Sequence, residues 1–146
     1  MGFQFSLAAV LRVRESLEQR EEHALQTILL DVAHVAHQIE ELTDAIAGAH
    51  WQRELALEQT LSGGQLQSLM REEHAAEQRL ISLVVTLQLL EQSRERQMKV
   101  YQAAHQSREL LTDMRSKQQE IYDREWLRQD QKRLDDIFMA RRHRVL

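Results

Sequence analysis

The stretch TLSGGQLQ, residues 60–67, is the clearest interruption in a sequence otherwise typical of long helices. It contains two of the four glycines of the chain, and no proline occurs anywhere to end a helix. Gly63 and Gly64 can adopt the positive φ of a helix C-terminus, and Ser62 can stabilise the turn or cap the next helix. We therefore predict a first helix at about 6–60, a turn at 61–64 and a second helix at about 65–142.

The composition is typical of a coiled coil rather than of a protein with a wide core. The 146 residues include 29 % charged and 5 % aromatic side chains, and much of the 42 % apolar content is alanine. We expect one domain, 1–146, held by a narrow apolar seam. The absence of cysteine fits a reducing compartment, and the longest apolar run, Leu80–Leu90, is too short and too interrupted to span a bilayer. These features predict a protein of the cytoplasm without a transmembrane segment.

Apolar residues recur at helical spacing in both predicted helices, and part of the first helix has the heptad pattern of a coiled-coil seam. In the first helix that regular part is Ile28, Val32, Val35, Ile39, Leu42, Ile46 and Ala49. Upstream the register is looser, through Leu7, Val10, Leu17 and Leu25, with Arg14 and Glu21 at intervening seam positions. In the second helix the seam is Leu66, Leu69, Leu80, Leu83, Leu87 and Leu90, followed more weakly by Met98, Tyr101, Ala104, Leu111, Ile121 and Tyr122. A short turn near Gly63 makes the helices antiparallel and places residue 4 opposite about residue 122. The predicted fold is all-α, an antiparallel two-helix coiled-coil hairpin whose second helix overhangs by ~30 Å.

The opening sequence FQFS changes from a period of two to a helical period. If Ser6 is the N-cap, Phe5 precedes the cap and Val10 is the fourth helical residue, which is the spacing of a hydrophobic staple. Phe3 then lies on an extended lead-in, and we expect its ring to be exposed.

Two end motifs resemble those of the FliJ family of flagellar export proteins. FQFSLAAVLRVRESLE, from Phe3, is similar to the N-terminal signature of that family, and DQKRLDDIFMARR, Asp130–Arg142, is similar to its C-terminal signature. The chain length and the longer second helix also match, so the resemblance covers the whole chain.

The resemblance implies a stalk for a flagellar type III export apparatus, acting in flagellum biogenesis and thereby in chemotaxis. Members resemble the central stalk of rotary ATPases, and three partners are implied: a hexameric export ATPase, a membrane export-gate protein and export chaperones. The implied location is the cytoplasm, peripherally associated with the inner face of the cell membrane. Neither a cofactor nor an enzymatic activity is implied.

Candidate contact residues follow from the two ends of the predicted hairpin. Apolar residues beyond Tyr122 have no partner in the first helix and the end of the chain is net basic, which indicates a docking surface. The resemblance implies that this overhang and the paired termini enter the ATPase ring. The candidates are Phe3, Phe5, Arg128, Lys132, Arg133, Leu134, Asp135, Asp136, Ile137, Phe138 and Arg141. Near the turn, apolar residues exceed what a two-helix seam needs, and tryptophan is enriched at interface hot spots. The candidates for the export-gate contact are Trp51, Leu66, Leu69 and Met70.

Other functions have weaker sequence support. Asp31, His34 and His37 share spacing that could suit a metal, but no matching ligands occur on the second helix, so we expect solvated flank residues and no metal site. No nucleophile–base pair or phosphate-binding loop is present, and rods lack the pockets that catalysis needs, so we expect a non-enzyme. Two alternatives remain open. One is the equivalent stalk of a non-flagellar, virulence-type secretion system. The other is a generic coiled-coil adaptor or nucleic-acid-binding arm, although a net charge of −4 gives no expectation of nucleic acid as a partner.

Overall fold

A computed structural model describes residues 2–59 and 62–145. Two helices, α1 at Ala8–Leu57 and α2 at Gly63–Val145, pack against each other as a hairpin in which the second helix is longer. No strand occurs among the described residues. The predicted fold class is therefore confirmed. Both helices start and stop within a few residues of the predicted bounds, and Leu61 of the predicted turn lies outside the described residues.

The chain divides into two compact units, each built from both helices. The terminal unit combines Met1–Arg20 with Gln102–Leu146, and the central unit is Glu21–Tyr101. Within the central unit Arg53 pairs with Glu73, ten residues on either side of Gly63. Within the terminal unit Glu18 pairs with Arg108, 45 residues on either side of the same glycine. The antiparallel pairing about Gly63 is thus confirmed in each unit.

A capping box, rather than a glycine turn, starts α2. The Oγ of Ser62 accepts a hydrogen bond from the backbone N–H of Gln65 at 3.2 Å, and the Gln65 side chain accepts one from the Ser62 N–H at 3.3 Å. The cap leaves Gly63 and Gly64 inside the first turn of the helix. The expectation of positive φ at these glycines is wrong, since no described residue has a positive φ. The predicted start of the second helix is correspondingly two residues late.

The N-terminal end of α1 also differs from the sequence expectation. The helix begins at Ala8, where the backbone N–H donates to the carbonyl of Phe5, so Ser6 lies in the preceding turn. Leu11 is 4 % exposed whereas Val10 is 43 % exposed, so Leu11 rather than Val10 occupies the seam. The predicted staple, with Ser6 as the N-cap and Val10 as the partner of Phe5, is therefore wrong.

The two N-terminal phenylalanines are both packed. Phe5 is buried, and Phe3 is half-buried with its ring centroid 5.6 Å from that of Tyr122. The expectation of an exposed Phe3 ring is therefore wrong. Tyr122 marks the point on α2 that the lead-in reaches, which agrees with the predicted pairing of residue 4 with about residue 122.

The seam is narrow, as the composition indicates. Four apolar side chains are buried among the described residues, and all belong to α1 or its lead-in: Phe5, Leu11, Leu25 and Val35. On α2 the residues facing α1 are half-buried rather than buried. No described helix is apolar over a stretch long enough to traverse a lipid bilayer.

Candidate interaction surfaces

The first candidate surface is the part of α2 beyond Tyr122, residues 123–145, which we call the extension. Every residue in it except Asp130 is exposed, including all of the predicted ATPase-docking residues on α2. Its exposed large apolar side chains are Trp126, Leu127, Leu134, Ile137, Phe138, Met139 and Val145. Phe138 alone is 65 % exposed. Such a density of exposed apolar groups on one helix is typical of an interaction site.

The apolar side chains of the extension do not continue the seam that faces α1. In the terminal unit, Arg108 of α2 pairs with Glu18 of α1, and Tyr122 packs on Phe3 of the lead-in, so these two residues mark the side of α2 that faces the N-terminal segment. Continuing that side in steps of seven residues from Tyr122 reaches three polar residues, Gln129, Asp136 and His143. Leu127 and Leu134 are seven residues apart on another face of the same helix, and Phe138 lies one turn beyond Leu134. The apolar stripe of the extension is therefore rotated away from the side of α2 on which α1 packs.

The predicted docking residues at the N-terminus behave differently from those on the extension. Phe5 is buried and Phe3 packs on Tyr122, so neither ring is available as a large exposed contact. The Phe3–Tyr122 contact holds the lead-in against α2 beside the base of the extension. The two ends of the predicted docking set thus lie in one unit but differ in exposure.

The second candidate surface is the predicted gate contact near the turn. Trp51 and Met70 are exposed, at 65 % and 55 %, whereas Leu66 and Leu69 are half-buried. Both belong to the predicted seam, and Leu69 lines a cavity together with residues of α1. Trp51 and Met70 therefore form the accessible part of the predicted set.

Polar clusters between the helices were missed at the sequence level. In the terminal unit, Glu18 accepts hydrogen bonds from Arg108 Nε at 2.5 Å and from the His105 ring at 3.2 Å. The hydrogen bond from Arg108 is the main cause that holds the pKa of the Glu18 carboxyl below its usual value. The same bond raises the pKa of Arg108. Complementary charges at positions symmetric about the turn are the signal that could have found this cluster.

The central unit has two similar clusters. The side-chain amide of Gln97 donates to the Glu21 carbonyl at 3.1 Å and to its carboxylate at 2.6 Å. Nearer the turn, Arg53 pairs with Glu73. Directional bonds at these positions define which residues of the two helices lie opposite each other.

The residues weighed as metal ligands are not gathered into a cluster. Asp31, His34 and His37 are exposed, and His37 Nε2 lies 3.0 Å from Glu41 Oε1 on the same helix. Among residues 2–59 and 62–145, no group of three or more potential metal ligands comes together.

The fold and its surfaces define a class: a helical hairpin whose exposed apolar groups suit contacts with other proteins. A family model described as "Flagellar FliJ protein" matches residues 3–145. The chain therefore belongs to the FliJ family, a family of flagellar, type III export-related proteins that is not known as an enzyme family. No curated protein and no solved structure matches the chain. The resemblance at the two ends of the sequence is confirmed by the family match.

Proposed function

We propose that this chain is the stalk of a flagellar export apparatus, which docks in a hexameric export ATPase through its extension. The family match supports the export role. The exposed apolar stripe of the extension, with Leu127, Leu134 and Phe138, is the observation that carries the docking role. Because these side chains lie on a helix without an α1 partner, a ring surrounding the extension would cover them.

The extension carries charges of both signs, which suits a reversible contact with the ATPase. It has seven basic side chains, namely Arg124, Arg128, Lys132, Arg133, Arg141, Arg142 and Arg144, against five acidic ones, Asp123, Glu125, Asp130, Asp135 and Asp136. Mixed charge keeps the polar faces hydrated, while the apolar stripe supplies the favourable burial. The proposed docking set on this helix is Arg128, Lys132, Arg133, Leu134, Asp135, Asp136, Ile137, Phe138 and Arg141. Phe3 and Phe5 contribute by fixing the base of the extension.

The docking role is tested by a pull-down with the isolated export ATPase, comparing the full chain with a 1–122 truncation. The truncation keeps the Phe3–Tyr122 contact and the Glu18 cluster, so we expect the hairpin to stay helical by circular dichroism. The full chain should retain the ATPase and the truncation should not. Equal retention by both chains would assign the contact to another surface.

The gate contact is proposed for the region near the turn, with Trp51 and Met70 as accessible anchors and Leu66 and Leu69 supporting them from the seam. Large exposed apolar side chains are the usual anchors of such contacts. Replacing Trp51 and Met70 together by alanine should weaken binding to the cytoplasmic part of the export-gate protein. Leu30→Ala is the control, since Leu30 is even more exposed, at 72 %, but lies away from the turn. Equal losses in both variants would remove the assignment.

The family match also supports the wider role that we propose. The stalk acts in the cytoplasm at the inner face of the cell membrane, links the ATPase to the gate, binds export chaperones, and has neither catalytic activity nor a cofactor of its own. A flagellar system is favoured over a virulence-type one because the matching family model is the flagellar one. Flagellar genes beside the coding gene would support this choice, and injectisome genes would reverse it.

A further inference from the structure

One side of the central unit carries a groove between α1 and α2 whose floor is made of small side chains. Near the turn it is a cavity of about 430 Å³ lined by Ala45, Ala49, Ala56 and Ala76 among others. A second concavity of about 260 Å³ shares Ala45 and continues away from the turn past Leu42 and Leu83. We call the two together the alanine groove. Its α1 wall, residues 38–56, is ~27 Å long at the rise of an α-helix.

A buried carboxylate lies at the floor of this groove. The Glu73 side chain is only 10 % exposed and lines the larger cavity, where Arg53 pairs with its Oε2. Its Oε1 has no hydrogen-bond partner, and His50 Nδ1 lies 3.6 Å from it. The Nε of Arg53 also lacks a hydrogen-bond partner. Buried polar atoms are normally satisfied, so this floor is incomplete when the hairpin is alone.

The electrostatics around the groove select the sign of an occupant. The groove itself is lined by three carboxylates, Glu41, Glu72 and Glu73, and by two arginines, Arg53 and Arg79. Arg53 is paired with Glu73, and the wider segments 37–59 and 62–83 contain eight carboxylates against three arginines. Glu41 and Glu72 lie among the lining residues and are exposed. A partner with basic side chains along its edges is therefore favoured over an acidic one.

We propose that the alanine groove is the receptor for one basic amphipathic α-helix of a partner protein, which completes a three-helix coiled coil. Large apolar side chains at heptad spacing on the incoming helix fill the space above the four alanines, because small residues on one side let large residues enter from the other. Lysine or arginine side chains on its edges meet Glu41 and Glu72. Donors on the same helix meet the acidic floor around Glu73.

This surface is distinct from the proposed gate contact. Trp51 and Met70 do not line the larger cavity or its continuation, and only Leu69 is common to the two sets. A partner helix in the groove and a partner anchored on Trp51 would therefore contact largely different residues. Failure of the gate proposal leaves this inference standing, and the reverse also holds.

The test uses the full chain and a synthetic amphipathic helix of about 18 residues, the length that spans the groove. The peptide has leucine at heptad positions a and d and lysine at the flanking positions. A scrambled peptide of the same composition measures non-specific attraction to an acidic protein, and a peptide with glutamate in place of lysine tests the charge sign. Fluorescence anisotropy of labelled peptide gives Kd for each pair.

Two neighbouring alanines supply a matched pair of variants. Ala49→Gln places a larger side chain in the groove, whereas Ala47→Gln places the same side chain on another face of the same turn. We expect Ala49→Gln to raise Kd at least tenfold and Ala47→Gln to change it less than twofold. Ala76→Gln makes the same test from α2, in case Ala49→Gln disturbs helix packing, which circular dichroism would report. Equal binding by the groove and control variants, or by the scrambled or acidic peptide, would overturn the proposal.

Discussion

Replacing Leu11 and Val10 separately by alanine distinguishes the seam that the structure has from the one that simple heptad counting predicts. Leu11 is 4 % exposed and Val10 is 43 % exposed, although the two are adjacent. Leu→Ala in a protein interior costs about 2–5 kcal/mol through lost transfer free energy and the cavity left behind. A two-helix seam is open at its edges and partly collapses, so we expect about 2–3 kcal/mol for Leu11→Ala.

Val10→Ala should behave differently for two reasons. Little buried area is lost at a half-exposed position, and alanine has a higher helix propensity than valine. We therefore expect the free energy of unfolding to change by less than about 0.5 kcal/mol.

Urea denaturation followed by circular dichroism measures both variants. With an m-value of about 2 kcal/mol per M, Leu11→Ala should lower the midpoint by about 1–1.5 M while Val10→Ala leaves it nearly unchanged. Equal shifts in the two variants, or a larger shift for Val10→Ala, would refute the assignment of Leu11 to the seam.

Three further predictions concern the turn and the polar clusters. Gly63→Ala and Gly64→Ala should each stabilise the protein by about 0.5–1 kcal/mol, because both glycines have helical φ and an added Cβ meets nothing within 4 Å. A loss of stability in thermal melts would show instead that the turn needs positive φ. Ser62→Ala should lower the free energy of unfolding by about 1 kcal/mol, because it removes the capping box. Ser68→Ala, inside the helix, should leave the stability unchanged or raise it slightly. Equal effects of the two substitutions would argue against the cap. The pKa of Glu18 in the folded protein lies below its usual value of 4.5. The ionised carboxylate therefore contributes fully to stability above pH 4.5, and this contribution disappears as the pH falls through the lower pKa of the folded state. Glu18→Gln should therefore be less stable than the wild type at pH 7 and equal to it in strong acid, and a constant difference across the urea midpoints at all pH values would contradict this linkage.

Most of the fold is predictable from the sequence because the heptad pattern and the single glycine pair leave few other arrangements. The errors occur where one polar residue occupies a seam position. Leu11, Glu18, Leu25 and Val32 follow one another at intervals of seven and face α2, but a glutamate in that series makes Val10 and Leu17 look like the better choice. Glu18 is tolerated there because Arg108 and His105 satisfy its carboxylate.

The turn was misjudged for a related reason. A glycine pair indicates a break, but it does not indicate on which side of the break the glycines lie. The Ser62–Gln65 capping box decides this by starting α2 before the glycines. The pattern S-x-x-Q is present in the sequence and is the signal that identifies this start.

The candidate surfaces were predicted less completely than the fold. Exposure of the extension follows from the unequal helix lengths, so its apolar residues could be named in advance. The packing of Phe3 on Tyr122 and the alanine groove depend on which faces of two helices meet, and a sequence pattern with ambiguous seam positions does not determine those faces.

The central claim is that the apolar stripe of the extension contacts the export ATPase, and the rate of ATP hydrolysis tests it most directly. The isolated ATPase is titrated with the full chain, with a Leu134→Ser and Phe138→Ser double variant, and with Leu30→Ser, whose side chain is 72 % exposed on the central unit. We expect the full chain and Leu30→Ser to stimulate hydrolysis equally and the double variant to give no stimulation. Full stimulation by the double variant would show that Leu134 and Phe138 are not the contact.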